Sequence, residues 1–287
     1  MPAENIIFTA KYLKQVEIIF VCSSEILSQL IGYETEEIMD ETGMDYLAAD
    51  GHAVTGQNVI DNAGYMFNEL GAMVNGWQAV GPYLYYYNPL NGNQLQTGWF
   101  TDETGTHYLY PGDGHMVIGP MAIDNKNYFF SAEGHMQVGW QNINGLRFYY
   151  SPVDGSMVTG WLNDGVDRYY LYPADGHMLT GYVTIGKDNY FFNEEGKMQT
   201  GIVPIAGGNF YFDPLTGAML KGWLTTPEMM LHFSTLDGHM LANEIAMVDN
   251  VPRCFKADGT LLVNGAYTIA GVTYVSDANG MIIFPTF

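Results

Sequence analysis

Apolar residues in this chain cluster in short aromatic runs, without the spacing of a helical face. Tyr128-Phe129-Phe130, Phe148-Tyr149-Tyr150 and Phe210-Tyr211-Phe212 are examples. Along a strand successive side chains point to opposite faces, so the outer two residues of each run share a face. One face has to be core, and the phenylalanines are expected to supply it, which leaves tyrosine hydroxyls for other work. Each run leads into a turn such as Asp154-Gly155, Asp175-Gly176 or Glu195-Gly196. Asp-Gly favours two-residue hairpin turns because both residues tolerate positive φ. A methionine follows two residues past the glycine, as Met73, Met116, Met136, Met157, Met178, Met198, Met219 and Met240. The unit closes on a second glycine, and all five tryptophans (Trp77, Trp99, Trp140, Trp161 and Trp223) directly follow such a glycine.

The turn glycines set a period. They are Gly51, Gly71, Gly92, Gly114, Gly134, Gly155, Gly176, Gly196, Gly217, Gly238, Gly259 and Gly280, always 20 to 22 residues apart. Self-similarity at this interval marks a solenoid or array. A lone hairpin is marginal in water, but stacked hairpins can bury their methionines and half of their aromatics on their neighbours. The expected fold is all-β: an elongated β-hairpin solenoid of about twelve 20–22-residue repeats over residues 45–287. The hairpin is expected to form across the Asp-Gly turn, between the aromatic run and the methionine strand.

Residues 1–44 do not follow the register. Ser24 is placed to cap a short helix over residues 25–31, and Thr35 a second one from Glu36. This segment is expected to be a small, partly helical N-terminal cap or the remnant of a preceding domain. The apolar end Phe284-Pro285-Thr286-Phe287 is expected to cover the last unit.

Composition narrows the function classes. The formal net charge is −21, which opposes nucleic acid, whose phosphates need clustered Lys and Arg. It disfavours an anionic membrane surface for the same reason. The stretch from Val16 to Val21, apolar but for Glu17, is far too short to span a bilayer, so no membrane insertion is expected. No secretory leader is legible at the start, so export would rest on a leader outside this chain. Cys22 and Cys254 sit in no zinc or redox spacing and are not expected to pair with each other.

Segments such as Arg147-Phe-Tyr-Tyr-Ser-Pro-Val-Asp-Gly-Ser-Met-Val-Thr-Gly-Trp161 resemble the cell-wall-binding and choline-binding repeat superfamily. The pattern is closest to the short repeats of glucan-binding proteins and of clostridial toxin C-terminal repetitive regions. The resemblance covers residues 45–287 and implies a secreted or cell-surface protein of Gram-positive type. In choline-binding members a quaternary ammonium lies in an aromatic cage, held by cation–π attraction. The tryptophan after the closing glycine forms one wall, and another stands just before the Tyr-Tyr pair. At that second position this chain has Leu84, Thr106, Asn127, Arg147, Arg168, Asn189, Asn209 and Met230. An arginine there repels a cation, so choline is expected to bind weakly or not at all. The toxins' sugar sites use longer repeats, and no spacing here exceeds 22 residues.

The candidate carbohydrate-binding residues are Trp140, Trp161, Tyr149, Tyr170, Arg147 and Arg168. Two indoles in successive units offer flat faces to sugar rings, tyrosines offer hydroxyls, and guanidinium forks hold hydroxyls or an anionic sugar group. No catalytic motif, metal-ligand cluster, calcium loop or cofactor fingerprint is present. The histidines after the turn glycines (His52, His115, His135, His177 and His239) fall one per unit, and no metal is expected. The expected function is a non-catalytic module that targets a secreted parent protein to a glycan or cell-wall polysaccharide. A toxin-like receptor domain for host-surface glycans and a structural spacer or adhesin stalk are the alternatives.

Overall fold

The computed structural model describes residues 36–40, 43–47 and 52–283. These residues are all-β, a succession of antiparallel hairpins, and the one helical element among them is the short 3-10 turn Pro89–Asn91. The helix expected from Glu36 does not form. Glu36–Asp40 is a strand paired with Gly43–Leu47, because a pairing partner outweighs a local capping signal. The expected boundary at residue 44 falls inside that second strand. The helix expected over 25–31, Cys22 and the tail from Phe284 lie outside the described residues. Two compact units are present, one carried by the chain up to Val138 with residues 152–156, the other by residues 139–151 and the chain from Met157.

The hairpins sit half a unit away from the expected register. Gly139–Ile143 pairs with Leu146–Tyr150 across Asn144-Gly145, and Gly201–Ile205 pairs with Gly208–Phe212 across Ala206-Gly207. So the tryptophan strand pairs with the aromatic run that follows it. Both turn residues have positive φ, 52° and 82° at Asn144-Gly145, the combination whose twist matches that of the strands. At Asp175-Gly176 only the glycine is left-handed, at φ 83°, and the loop is wider. Tyr172 N–H donates to His177 O and Gly176 N–H to Tyr172 O. The aromatic run and the methionine segment then meet at one bridge, as at Leu171 and Met178. At the Asp-Gly turns the expected pairing is thus reduced to a single bridge beside the main hairpin, and among the described residues a two-residue third strand forms at Met73–Val74 and Gln94–Leu95.

The core takes the last residue of each aromatic strand. In the first unit Phe67, Tyr87, Leu109 and Phe130 are buried; in the second, Tyr150, Leu171, Phe192, Phe212, Phe233 and Phe255. Successive hairpins are joined by the methionine segments. Met178 N–H donates to Arg147 O at 2.7 Å and Met198 N–H to Arg168 O at 2.8 Å. The methionine side chain lies against the turn glycine of the next unit. A Cβ on Gly176 would stand 2.6 Å from the Met157 sulfur, and one on Gly238 would stand 2.6 Å from Met219 Cε. The closing glycines differ: Gly181 has φ 76°, yet a Cβ there would meet nothing.

A longer period lies over the shorter one. Hairpins with four-residue strands begin at Gly98, Gly160 and Gly222, 62 residues apart. Their longer turns are tied by side chains, with Asp164 Oδ1 accepting from Val166 N–H and Asp167 N–H, and Thr226 Oγ1 accepting from Met229 N–H. Asp-Gly-His-Met follows each of them, and His115, His177 and His239 donate from Nδ1 to Asp113, Asp175 and Asp237 at 2.5, 2.5 and 2.7 Å. These histidines clip their own turns. Bonding to His239 and Ser234 holds the Asp237 carboxyl down at about 2.

The two classes of glycine separate in stability. Gly181→Ala carries the left-handed backbone alone and is expected to cost about 1–2 kcal/mol. Gly176→Ala adds overlap with Met157 and is expected to cost a further 1–3 kcal/mol or so. Urea unfolding of both variants, with Met157→Ala added to Gly176→Ala, checks this; equal costs would show that methionine packing is irrelevant. Cys254 is fully buried and burial pushes its thiol pKa up. Native protein is expected to leave Cys254 unalkylated at neutral pH, as mapped by peptide mass, while denatured protein reacts readily.

Candidate functional site

Each tryptophan enters its strand directly after a closing glycine, and its cross-strand neighbour lies nine residues on. Trp99 opposes Tyr108, Trp140 opposes Tyr149 and Trp161 opposes Tyr170. Directly opposed residues project from the same face, so the rings meet edge to face. Centroid distances are 5.0 Å for Trp99–Tyr108, 5.2 Å for Trp140–Tyr149 and 5.1 Å for Trp161–Tyr170. A third ring comes from the next hairpin: Tyr128 on Trp99 at 5.0 Å, Tyr169 on Trp140 at 4.9 Å and Tyr190 on Trp161 at 5.0 Å. Three clusters thus share one geometry.

Arginine completes two of them. Arg147 and Arg168 lie two residues before Tyr149 and Tyr170 on the same strand and share their face. Each guanidinium carbon stands over its tryptophan, Arg147 on Trp140 and Arg168 on Trp161, both at 4.6 Å from the ring centroid. The six expected residues therefore form two equivalent clusters, Trp140–Tyr149–Arg147 and Trp161–Tyr170–Arg168, rather than one shared platform. Neither indole is fully covered: Trp140 is half-buried and Trp161 is 38 % exposed. Tyr169 and Tyr190 were missed, because they belong to the following unit. Their signal is an aromatic residue 29 positions after the tryptophan, a spacing that Trp99 and Tyr128 share.

The other three tryptophans vary the theme. Trp99 is 41 % exposed, and Thr106 takes the arginine position on its hairpin. Trp77 meets Tyr86 at 5.1 Å and the buried His107 at 5.0 Å, and its Nε1 donates to Asp102 Oδ2 at 3.1 Å. Burial pushes the Asp102 carboxyl up, but bonds from Thr104 and Trp77 and the nearby His107 more than offset it and hold it well below the usual carboxylate range. Trp223 meets His232 at 4.8 Å and donates from Nε1 to Asp249 Oδ2 at 2.9 Å. Arg253, contributed by the next hairpin, lies 5.2 Å above it. Among the described residues no group of three or more potential ligands gathers as a metal site would require.

Residues 54–99, 137–181 and 179–223 match the choline-binding repeat, and these stretches contain all five tryptophans. CbpJ of Streptococcus pneumoniae TIGR4 aligns at 23% identity over 87% of this chain and 100% of its own, with a TM-score of 0.67. Choline-binding protein F of Streptococcus pneumoniae, solved in the presence of a peptidoglycan analogue, aligns at 20% identity over 79% of this chain and 98% of its own, with a TM-score of 0.55. The modular autolysin LytC of Streptococcus pneumoniae aligns at 20% identity over 79% of this chain and 52% of its own, with a TM-score of 0.52. These likenesses show the fold. No curated protein matches the sequence.

The stacked arginines contribute modestly to stability. Arg168→Gln is expected to cost about 0.5–1 kcal/mol, the range for a cation–π pair near the surface. Chemical unfolding followed by circular dichroism measures it. A cost above about 3 kcal/mol would mean that Arg168 holds the fold rather than the site.

Proposed function

We propose, on the premise that these repeats are of the cell-wall- and choline-binding superfamily, that the chain is a non-catalytic module fixing a secreted or surface-displayed parent protein to a bacterial cell-wall polymer. The observation that carries this reading is the recurrence of one indole cluster with matched ring distances in several hairpins. A surface reproduced at intervals suits a ligand that is itself repetitive, and many feeble contacts then add up to firm attachment. Trp140 and Trp161 supply flat apolar faces, Tyr149 and Tyr170 supply hydroxyls, and Arg147 and Arg168 supply forked donors. The described residues hold repeats and no separate catalytic body, and no described helix is long and apolar enough to cross a membrane. That choline-binding protein F was solved in the presence of a peptidoglycan analogue supports a wall polymer over a host glycan.

The Trp99 cluster favours a second, narrower reading. Its three rings match those of the other two clusters, but no arginine covers them. The expectation of weak or no choline binding, drawn from Arg147 and Arg168, then holds for Trp140 and Trp161 alone, while at Trp99 a quaternary ammonium fits by cation–π attraction.

Sedimentation with purified Gram-positive cell walls tests the main reading. Wild-type protein is expected to co-sediment, and a folded Trp140→Ala, Trp161→Ala variant to bind at least about tenfold more weakly, as loss of two linked contacts implies. Retention by host-glycan arrays alone would move the target to host surfaces. Binding to neither would leave a spacer. Choline titration followed by indole fluorescence is expected to respond in wild type and to fall silent in Trp99→Leu; a response that persists in that variant would remove Trp99 as the cation site.

A further inference from the structure

We infer that the groove at Trp223 and Arg253 is a receptor for anionic oxygen, a phosphate or a carboxylate carried by the bound polymer. This rests on the wall-polymer reading above and adds the sign of the charge that the polymer presents.

The chain contains three arginines, Arg147, Arg168 and Arg253. All three lie over tryptophan rings, at 4.6, 4.6 and 5.2 Å. The chain also carries 31 acidic residues, yet among the described residues no carboxylate comes within ion-pair distance of any arginine. Two lysines do pair with carboxylates, Lys126 with Asp154 at 2.9 Å and Lys197 with Asp167 at 3.1 Å. The arginines have thus been kept from the carboxylates around them and set on indoles instead. A guanidinium stacked by its face still offers N–H donors around its edge, in a geometry that matches carboxylate and phosphate. Where a cage would hold a ligand's cation, this protein supplies the cation itself. The complementary ligand group is then an anion.

The groove at Trp223 carries this furthest. It encloses about 510 Å³ and is lined by Trp223, Thr225, Met230, Arg253 and Asn279 among others. Arg253 Nη1 donates to Asn279 O at 2.5 Å, which pins the fork against one wall. Its Nε has no partner, and the only other buried side-chain polar atom without one among the described residues is Nδ1 of His232, whose ring packs on Trp223. Buried donors are nearly always satisfied; the Arg253 Nε is itself covered, so the second Nη of the fork, which donates to no described residue, is the N–H that an acceptor in the groove would meet. Asp249, an acidic neighbour, already accepts the Trp223 indole N–H. The net charge of −21 opposes anions at long range, but physiological salt screens it beyond about 8 Å.

Three arginines give three Nε–H resonances, so ¹⁵N-edited NMR reads each site separately. Full-length protein is titrated at constant ionic strength with inorganic phosphate, glucuronate, glucose and chloride. Saturable movement of the Arg253 resonance with phosphate or glucuronate, and none with glucose or chloride, is expected. Movement with phosphate alone assigns a phosphodiester polymer; movement with glucuronate alone assigns an acidic sugar. Arg253→Gln is expected to reduce sedimentation with walls at least threefold, with the Arg147 and Arg168 resonances unmoved as proof of fold. Should neither anion move Arg253 while wild-type protein still sediments with walls, the anion site is wrong and the wall reading stands. Should the anions move Arg253 while walls are ignored, the wall reading fails and the anion site stands.

Discussion

The structure depends on one contact, a methionine filling the space that the next turn's glycine leaves empty. Met157 on Gly176, Met178 on Gly196, Met198 on Gly217, Met219 on Gly238 and Met240 on Gly259 repeat it. Leu95 on Gly114 and Leu261 on Gly280 do the same with a different side chain. The glycine answers two demands together, a left-handed backbone and the absence of a Cβ, and no other residue meets both. The methionine is flexible enough to fill the irregular gap, and its own N–H is tied to a strand of the preceding hairpin. Side chain forward and backbone backward, it couples hairpins to their neighbours within each compact unit. No large central core is then needed, because each hairpin adds only a few buried side chains, such as Tyr128 with Phe130, Tyr169 with Leu171, or Leu231 with Phe233, to small clusters along the stack.

The ring clusters follow from that coupling. With the step between hairpins set by the methionine contact, a tryptophan meets a ring of its own hairpin and a ring of the next at nearly constant distance. The spread over three clusters is 4.9 to 5.2 Å. Edge-to-face pairs each add about 0.5–1.5 kcal/mol beyond area burial, so the clusters stabilise the fold while leaving indole surface exposed. The same side chains can therefore serve the fold and still offer surface to a ligand, and in the proposed reading the arginines set its charge. On the proposed reading, arginine on two clusters and threonine on a third would give one scaffold sites of different charge preference.

Much of this was legible in the sequence. The period, the strand character, the stacking role of methionine and the position of every tryptophan all follow from turn glycines and aromatic runs. The pairing register did not, because Asp-Gly recurs in nearly every unit and drew the turn assignment to itself. The true turns are chemically diverse: Asn144-Gly145, Asp124-Asn125, Ala206-Gly207 and Asp249-Asn250 share positive φ at both residues but no common sequence. Diversity hid them, although Asn-Gly is the strongest short hairpin signal of the set. The candidate site was half legible. Trp140, Arg147 and Tyr149 lie on one hairpin and could be grouped by strand alternation. Tyr169 and Tyr190 needed knowledge of how hairpins stack, which pairing patterns alone do not contain.

The 62-residue recurrence separates structure from chemistry within the repeat. If every hairpin occupied the same environment, nothing would favour four-residue strands at Gly98, Gly160 and Gly222 and five-residue strands at the hairpins between them. Nor would anything confine the tryptophans. Trp99, Trp161 and Trp223 sit on the short hairpins, and Trp77 and Trp140 on hairpins that precede short ones. The hairpins that follow the short ones, over 119–130, 181–192 and 244–255, contain none. Those hairpins keep the buried terminal residue (Phe130, Phe192 or Phe255), so they retain everything the stacking requires. What they lack is the indole. The stacking residues thus obey the 20–22-residue period, while Trp99, Trp161 and Trp223 obey the longer one and Trp140 has Ile202 as its counterpart 62 residues on, as expected if the short repeat answers to folding and the indoles answer to what the surface has to meet.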